Sequence, residues 1–298
     1  MEQKGGRMLV WWKAVLLAGL FIAVTLVVGL VGGLAISLSS TVEDTEALAA
    51  QEVAILPWLL AASIVLASLA VWALGRKHVP WTPSRLRHTV RVGLLFLAPA
   101  VVLVIGATLL QAFILELLPI GPERYPHDPQ QLAQLPFWVV LVAWVFVPAV
   151  FEEIAFRGVI QPGLTRAHGA LVGVLLSSVL FALVHLEPVQ MAAVFIMGLA
   201  FGYLRHASRS VYPAMVAHGF LNFLAVVGMR AAETVPTPAV PPAGGPHPFV
   251  PALWGLGCVI LAVAMCRGLG RRLFPVTTPP PPDGSHSPGP PRPESGGG

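Results

Sequence analysis

Three short segments in the second half of the chain place acids, imidazoles and an amide at helical spacing in apolar surroundings. In chain order they are Glu152-Glu153-x-x-x-Arg157, Phe181-x-x-x-His185 and His218-x-x-x-Asn222. A charged group inside an apolar helix is costly in a membrane, so it is a functional candidate by default. Three separate helices would thus bring reactive groups into one apolar environment.

The residue types suit the hydrolysis of a peptide bond without a covalent nucleophile. A carboxylate such as Glu152 and an imidazole such as His185 can share one water and act on it as a general base. His218 and Asn222 are four residues apart, so both can face one cavity and donate hydrogen bonds to a developing oxyanion.

The first segment also contains a pair that looks structural. Glu153 and Arg157 are four residues apart and can form an ion pair on one helix face. Glu152 points about 100° away from Glu153, which leaves it free for another task. Pro148 lies one turn before Glu152 and predicts a kink at the site. The sequence Gln161-Pro162-Gly163 predicts that the helix ends there, on the cytoplasmic side.

The composition indicates the elements that must position these residues. Of 298 residues, 56% are apolar and only 11% are charged, against about 25% charged in soluble domains. This excludes a soluble enzyme, a disordered chain and a nucleic-acid-binding domain, and it indicates a polytopic helical protein of the lipid bilayer. A spanning helix needs about 20 apolar residues. Charge-free runs predict eight spans, at 14–42, 53–75, 92–115, 129–151, 167–186, 188–204, 210–229 and about 249–266.

Basic loops alternate with acidic or neutral loops along the chain. The positive-inside rule therefore predicts that both termini are cytoplasmic, which agrees in parity with eight spans. We expect scaffold helices in 1–130, a catalytic core with the final helix in 131–274, and a disordered Pro/Gly-rich tail in 275–298. The expected location is the plasma membrane, crossed several times.

The predicted depths of two candidate residues disagree. At about 1.5 Å per residue, Glu152 lies roughly 12–20 Å from the cytoplasmic end of its span, and His185 lies roughly 22–24 Å from the start of its own. The two residues can meet only if the fifth span tilts or begins later than expected.

Taken in order, each in an apolar span, the three motifs resemble those of the CPBP intramembrane proteases. This family includes the type II CAAX prenyl endopeptidases and bacterial bacteriocin-processing and immunity proteins. The resemblance covers about residues 135–230 and implies an all-helical bundle. It also implies a glutamic peptidase without a required metal, in which Glu153 and Arg157 support the site.

The resemblance gives each remaining motif residue a role. It implies that Glu152 and His185 activate a water, and that His218 and Asn222 form the oxyanion site. The substrate would be a membrane-associated protein or peptide. Because the composition and the Pro-rich tail look bacterial, membrane-associated peptides are expected rather than prenylated CAAX proteins.

Several alternatives stay open at this stage. Glu152, His185 and His218 are also suitable zinc ligands. Buried Glu and His residues occur in proton-coupled transporters, although the chain shows no internal repeat of the kind that many transporters have. A non-proteolytic immunity or scaffold protein would keep the same fold. An aspartyl dyad is excluded because every Asp lies in a loop or the tail, and no H-E-x-x-H or G-x-S-G motif is present.

Overall fold

The computed structural model describes residues 11–39, 45–76, 86–117, 135–234 and 249–273. Within these ranges the chain forms helices and no strand. The helices are α1 (Trp11–Ser39), α2 (Thr45–Gly75), α3 (Leu86–Leu95), α4 (Leu97–Leu117), α5 (Phe137–His168), α6 (Ala170–Leu183), α7 (Pro188–Ser208), α8 (Tyr212–Thr234) and α9 (Phe249–Leu273). The predicted tail 275–298 and the Pro/Gly-rich loop 235–248 lie outside the described residues. The all-α polytopic membrane bundle is confirmed.

The described residues contain seven helices that are long and apolar enough to cross a membrane, and a shorter apolar helix at the place of the fifth of the eight predicted spans. The fifth predicted span, 167–186, yields only α6, which has 14 residues. Such a helix is about 21 Å long, shorter than the roughly 30 Å hydrocarbon core. Gly169, with φ at 86°, separates α6 from α5, and a turn follows α6 at 184–185. These turn residues carry no charge, so a charge-free run overstates the helix.

Helix α5, which contains the first motif, runs without a break for 32 residues. The predicted end at Gln161-Pro162-Gly163 is therefore wrong. Two π-helical segments, Leu141–Phe146 and Ile154–Ile160, interrupt the α-helical pattern. The two prolines of this helix, Pro148 and Pro162, each lie in the first turn after a π segment. A wider π turn makes room for a proline ring that would clash with the preceding turn of an α-helix.

The length of α5 removes the predicted conflict in depth. Because the helix continues to His168, Glu152 lies about 24 Å from that end at 1.5 Å per residue. His185 lies about 22 Å from the start of α6 by the same measure. Since α5 and α6 meet at Gly169, the two residues reach similar depths without a tilt of α6.

Contacts between helix ends place both ends of the described chain at the same end of the bundle. They are Leu17–Gly75 between α1 and α2, Gly93–Tyr212 between α3 and α8, and Ala207–Gly270 between α7 and α9. Exposed arginines gather at this end, namely Arg76, Arg91, Arg166, Arg209, Arg267, Arg271 and Arg272. That this end faces the cytoplasm stays a prediction of the positive-inside rule.

Two glycines of α7 let it approach α6 closely. An added Cβ at Gly198 would lie 3.2 Å from the Ser178 Cβ, and one at Gly202 would lie 3.0 Å from Val174 Cγ1. Both pairs are spaced four residues apart, so they form one line of contact along the two helices. Small residues at this spacing are a common basis of close helix packing in membranes.

Replacing Gly198 with leucine is expected to destabilise the bundle by about 1–3 kcal/mol, as overpacking of a tight interface does. A thermal unfolding curve of the detergent-solubilised protein measures the effect. The matched control is Gly228→Leu, because an added Cβ at Gly228 meets nothing within 4 Å. Equal melting temperatures for the two variants would contradict the close contact between α6 and α7.

Candidate active site

A buried cluster of three side chains forms the centre of the site. Arg157 Nη1 donates a hydrogen bond of 3.0 Å to Glu153 Oε1, and neither side chain is exposed to solvent. His218 of α8 places its Nδ1 3.1 Å from the same oxygen. A carboxylate oxygen accepts hydrogen bonds, so the His218 Nδ1 carries a hydrogen toward Glu153. The predicted Glu153–Arg157 pair is confirmed, and it extends to His218.

Glu152 lies on the other side of the same imidazole. Its Oε2 is 4.0 Å from His218 Nε2, and the carboxyl group is buried. This separation is too long for a direct hydrogen bond, but it is short enough for one water to bond to both atoms. Glu153 and Arg157 pair with each other, whereas Glu152 faces the second nitrogen of His218, so the two neighbouring acids have different partners.

His185 contacts Phe181 twice, through a hydrogen bond that fixes its tautomer and through the aromatic ring. Its Nδ1 lies 2.9 Å from the carbonyl oxygen of Phe181. A carbonyl only accepts, so Nδ1 carries the hydrogen and Nε2 of the neutral ring is left as an acceptor. No hydrogen bond joins His185 to Glu152 in the described ranges. The Phe181 ring contacts both imidazoles, with centroids 5.2 Å from His185 and 6.0 Å from His218.

Asn222 ties α8 to α5 one turn beyond His218. Its Nδ2 donates a hydrogen bond of 2.9 Å to the carbonyl oxygen of Trp144. In a regular α-helix that carbonyl would bond to the amide of residue 148, but Pro148 has no amide hydrogen. One of the two amide hydrogens of Asn222 therefore serves a contact between helices, and the other stays available to a ligand.

The bond between Asn222 and Trp144 predicts different results for two substitutions. Asn222→Ala should lower the free energy of unfolding by about 1–3 kcal/mol, because a hydrogen bond between helices is lost. Asn222→Asp should cost more, because a carboxylate would face a carbonyl oxygen. Thermal unfolding of both variants in detergent measures the order, and an aspartate variant as stable as wild type would contradict the donor role.

Helix α7 supplies contacts that the motifs did not predict. Arg157 Nη2 donates to the Gly198 carbonyl at 3.2 Å, and Gln161 Nε2 donates to the Gly202 carbonyl at 2.8 Å. The Phe201 ring stacks on His218, with centroids 5.0 Å apart and planes at 17°. Only the four-residue spacing of the two glycines could have indicated this interface from the sequence. Phe201 gives no such signal, because a phenylalanine is ordinary in an apolar helix.

The described residues contain no group of three His, Cys, Asp or Glu side chains arranged to hold a metal ion. His218 lies next to Glu152, and the Phe181 ring contacts both His218 and His185. The zinc alternative stays a prediction, to be tested with a chelator.

The family model described as type II CAAX prenyl endopeptidase Rce1-like matches residues 134–224. This region begins just before α5, ends in α8 and includes all three motifs. No curated protein and no solved structure matches the chain significantly. The described helices also make the protein a multi-pass membrane protein. The resemblance read from the motifs is thus confirmed: the central part of this membrane chain is similar to the CPBP/CAAX protease family.

Proposed function

We propose that the protein is an intramembrane endopeptidase that hydrolyses a peptide bond with a water activated by Glu152. One observation carries the proposal: Glu152 Oε2 and His218 Nε2 face each other across 4.0 Å in a buried site between α5 and α8. A carboxylate in this position can hold a water and accept its proton, which general base catalysis requires.

In the proposed reaction, Glu152 accepts a proton from the water while the water oxygen attacks the carbonyl carbon of the scissile bond. His185 assists as a hydrogen-bond acceptor. Its Nδ1 hydrogen bonds to the carbonyl oxygen of Phe181, which leaves the lone pair of Nε2 to accept a hydrogen bond from the water. The tetrahedral intermediate then collapses as the bond from carbon to nitrogen breaks. The proton passes from Glu152 to the leaving nitrogen, so the products are an amine and a carboxylic acid.

His218 and Asn222 are proposed to stabilise the oxyanion. Glu153 accepts the Nδ1 hydrogen of His218, so Nε2 faces the gap beside Glu152, where it donates to the oxyanion when the ring carries both hydrogens. Asn222 has one amide hydrogen left beyond its bond to Trp144. Donors of this kind are typically worth about 2.7–4 kcal/mol of activation free energy each. The Glu153–Arg157 pair holds His218 in place and does not contact the substrate.

The proposed substrate is a protein or peptide within or on the membrane, because the site lies between membrane helices. We further propose that the basic end of the bundle faces the cytoplasm and that the protein acts in the plasma membrane.

Cleavage of a quenched fluorescent peptide library by the purified protein in detergent tests the proposal. His185→Ala is measured beside wild type, with Glu46→Gln, which is outside the three motifs, as the control. Cleavage that is lost in His185→Ala and unaffected by a chelator supports the glutamic mechanism. Loss with chelator and recovery with zinc would instead indicate a metallopeptidase. If folded wild type cleaves nothing in the library, the proposal fails, and proton-flux and partner-binding assays would test the transporter and scaffold alternatives.

A further inference from the structure

One face of α7 lies along the motif helix α5, although α7 contains none of the three motifs. The carbonyls of Gly198 and Gly202 accept hydrogen bonds from side chains of α5. In the opposite direction, Arg205 Nε donates a hydrogen bond of 3.0 Å to the Arg157 carbonyl. Phe201 lies on this same face, one turn after Gly198 and one turn before Arg205, and its side chain is only 1% exposed.

The hydrogen bond of His218 to Glu153 leaves a tilt of the imidazole that its aromatic neighbours restrain. Its bond to Glu153 fixes the position of Nδ1 but permits the ring to tilt about the line between the bonded atoms. The Phe181 ring meets the imidazole edge-on, at 80° and 6.0 Å. Phe201 instead covers the flat face of the imidazole at 5.0 Å and 17°. The plane of the imidazole, and with it the direction of Nε2, is therefore set by Phe201.

We propose that Phe201 is a positioning residue for the hydrolysis, because it fixes the imidazole plane that aims His218 Nε2 at the gap beside Glu152. This inference rests on the proposed function. The centroid of the Phe201 ring also lies 5.5 Å from the Arg157 guanidinium. The Phe181 ring contacts the same guanidinium, with its centroid at 4.1 Å. Phe201 thus touches both partners of Glu153 and keeps them in one arrangement.

The test replaces Phe201 with leucine, methionine and tyrosine and measures kcat, KM and thermal unfolding in detergent. Leucine and methionine remove the flat ring while keeping an apolar side chain, whereas tyrosine keeps the ring. Removing the ring should lower kcat about tenfold or more with little change in KM, since a misplacement of about 1 Å can cost 10²-fold in rate. Tyrosine should retain most of the wild-type kcat. Phe195→Leu, on the same helix, is the control and should leave kcat unchanged.

Each outcome decides the question once wild-type cleavage that depends on Glu152 has been measured. A folded Phe201→Leu or Phe201→Met variant with wild-type kcat overturns the inference and leaves the proposed function standing. An equal loss of kcat in Phe195→Leu also overturns it. Failure of both the leucine and methionine variants to fold would assign the ring to bundle packing and would count against the proposal. An inactive wild type refutes the proposed function itself.

Discussion

Replacing Glu152 with glutamine is expected to lower the rate of peptide cleavage by about 10²–10⁴-fold, the usual contribution of a general base. Glutamine keeps the size of the side chain but cannot accept a proton from water. Among the described residues the nearest polar partner of Glu152 is His218 Nε2 at 4.0 Å, so the substitution breaks no hydrogen bond there. The variant should therefore fold and have the melting temperature of wild type, although its kcat falls strongly.

Kinetics on a single peptide from the library, together with a melting curve, measure both parts of this prediction. Glu153→Gln is the informative companion, because Glu153 accepts bonds from Arg157 and His218. It should lose stability as well as activity, whereas Glu152→Gln should lose activity alone. A folded Glu152→Gln enzyme with wild-type kcat would remove Glu152 from the mechanism and favour the scaffold alternative.

Replacing Arg157 with alanine is expected to have the largest effect on stability, about 3–5 kcal/mol of unfolding free energy. This is the usual range when one partner of a buried ion pair is removed and the other charge stays buried. Arg157 and Glu153 are both fully buried in a membrane-spanning helix, so water cannot compensate the carboxylate. The substitution also removes the bond to the Gly198 carbonyl and the contact with the Phe181 ring.

Arg157→Lys should recover only part of this loss. A single ammonium group cannot reproduce the planar fork that donates to Glu153 and to the Gly198 carbonyl at once. Thermal or denaturant unfolding in detergent measures both variants. The control is Arg166→Ala on the same helix, which is exposed and should change stability by no more than about 0.5 kcal/mol. If Arg157→Ala and Arg166→Ala unfold at the same temperature, the buried pair contributes no stability.

The sequence predicted the fold class, the family resemblance and the pairing of Glu153 with Arg157, because these depend on composition and on spacing within each helix. It did not predict that α5 continues past Pro162, since only the π segment before the proline makes that possible. It also overstated α6, because the turns at both of its ends carry no charge.

Contacts between helices were harder to predict than spacing within them. The bond from Asn222 joins a side chain of α8 to a backbone carbonyl of α5, and periodicity within either helix contains no information about it. The stacking of Phe201 on His218 depends on how closely α7 approaches its neighbouring helices. Gly198 and Gly202 of α7, which lie in its contact with α6, allow that close approach. The roles of Glu152, His185, His218 and Asn222 in catalysis stay predictions that the experiments above test.

The shortness of α6 has a consequence for the supply of water. A hydrolase in a bilayer consumes water in a place from which lipid excludes it. Helix α6 is about 9 Å shorter than the hydrocarbon core. The non-helical segment that follows it, which contains His185 and Glu187, therefore lies within the hydrocarbon region. Non-helical backbone at that depth is tolerated only where protein or water solvates it. A thinned or hydrated patch of bilayer beside this turn would bring the second reactant directly to His185.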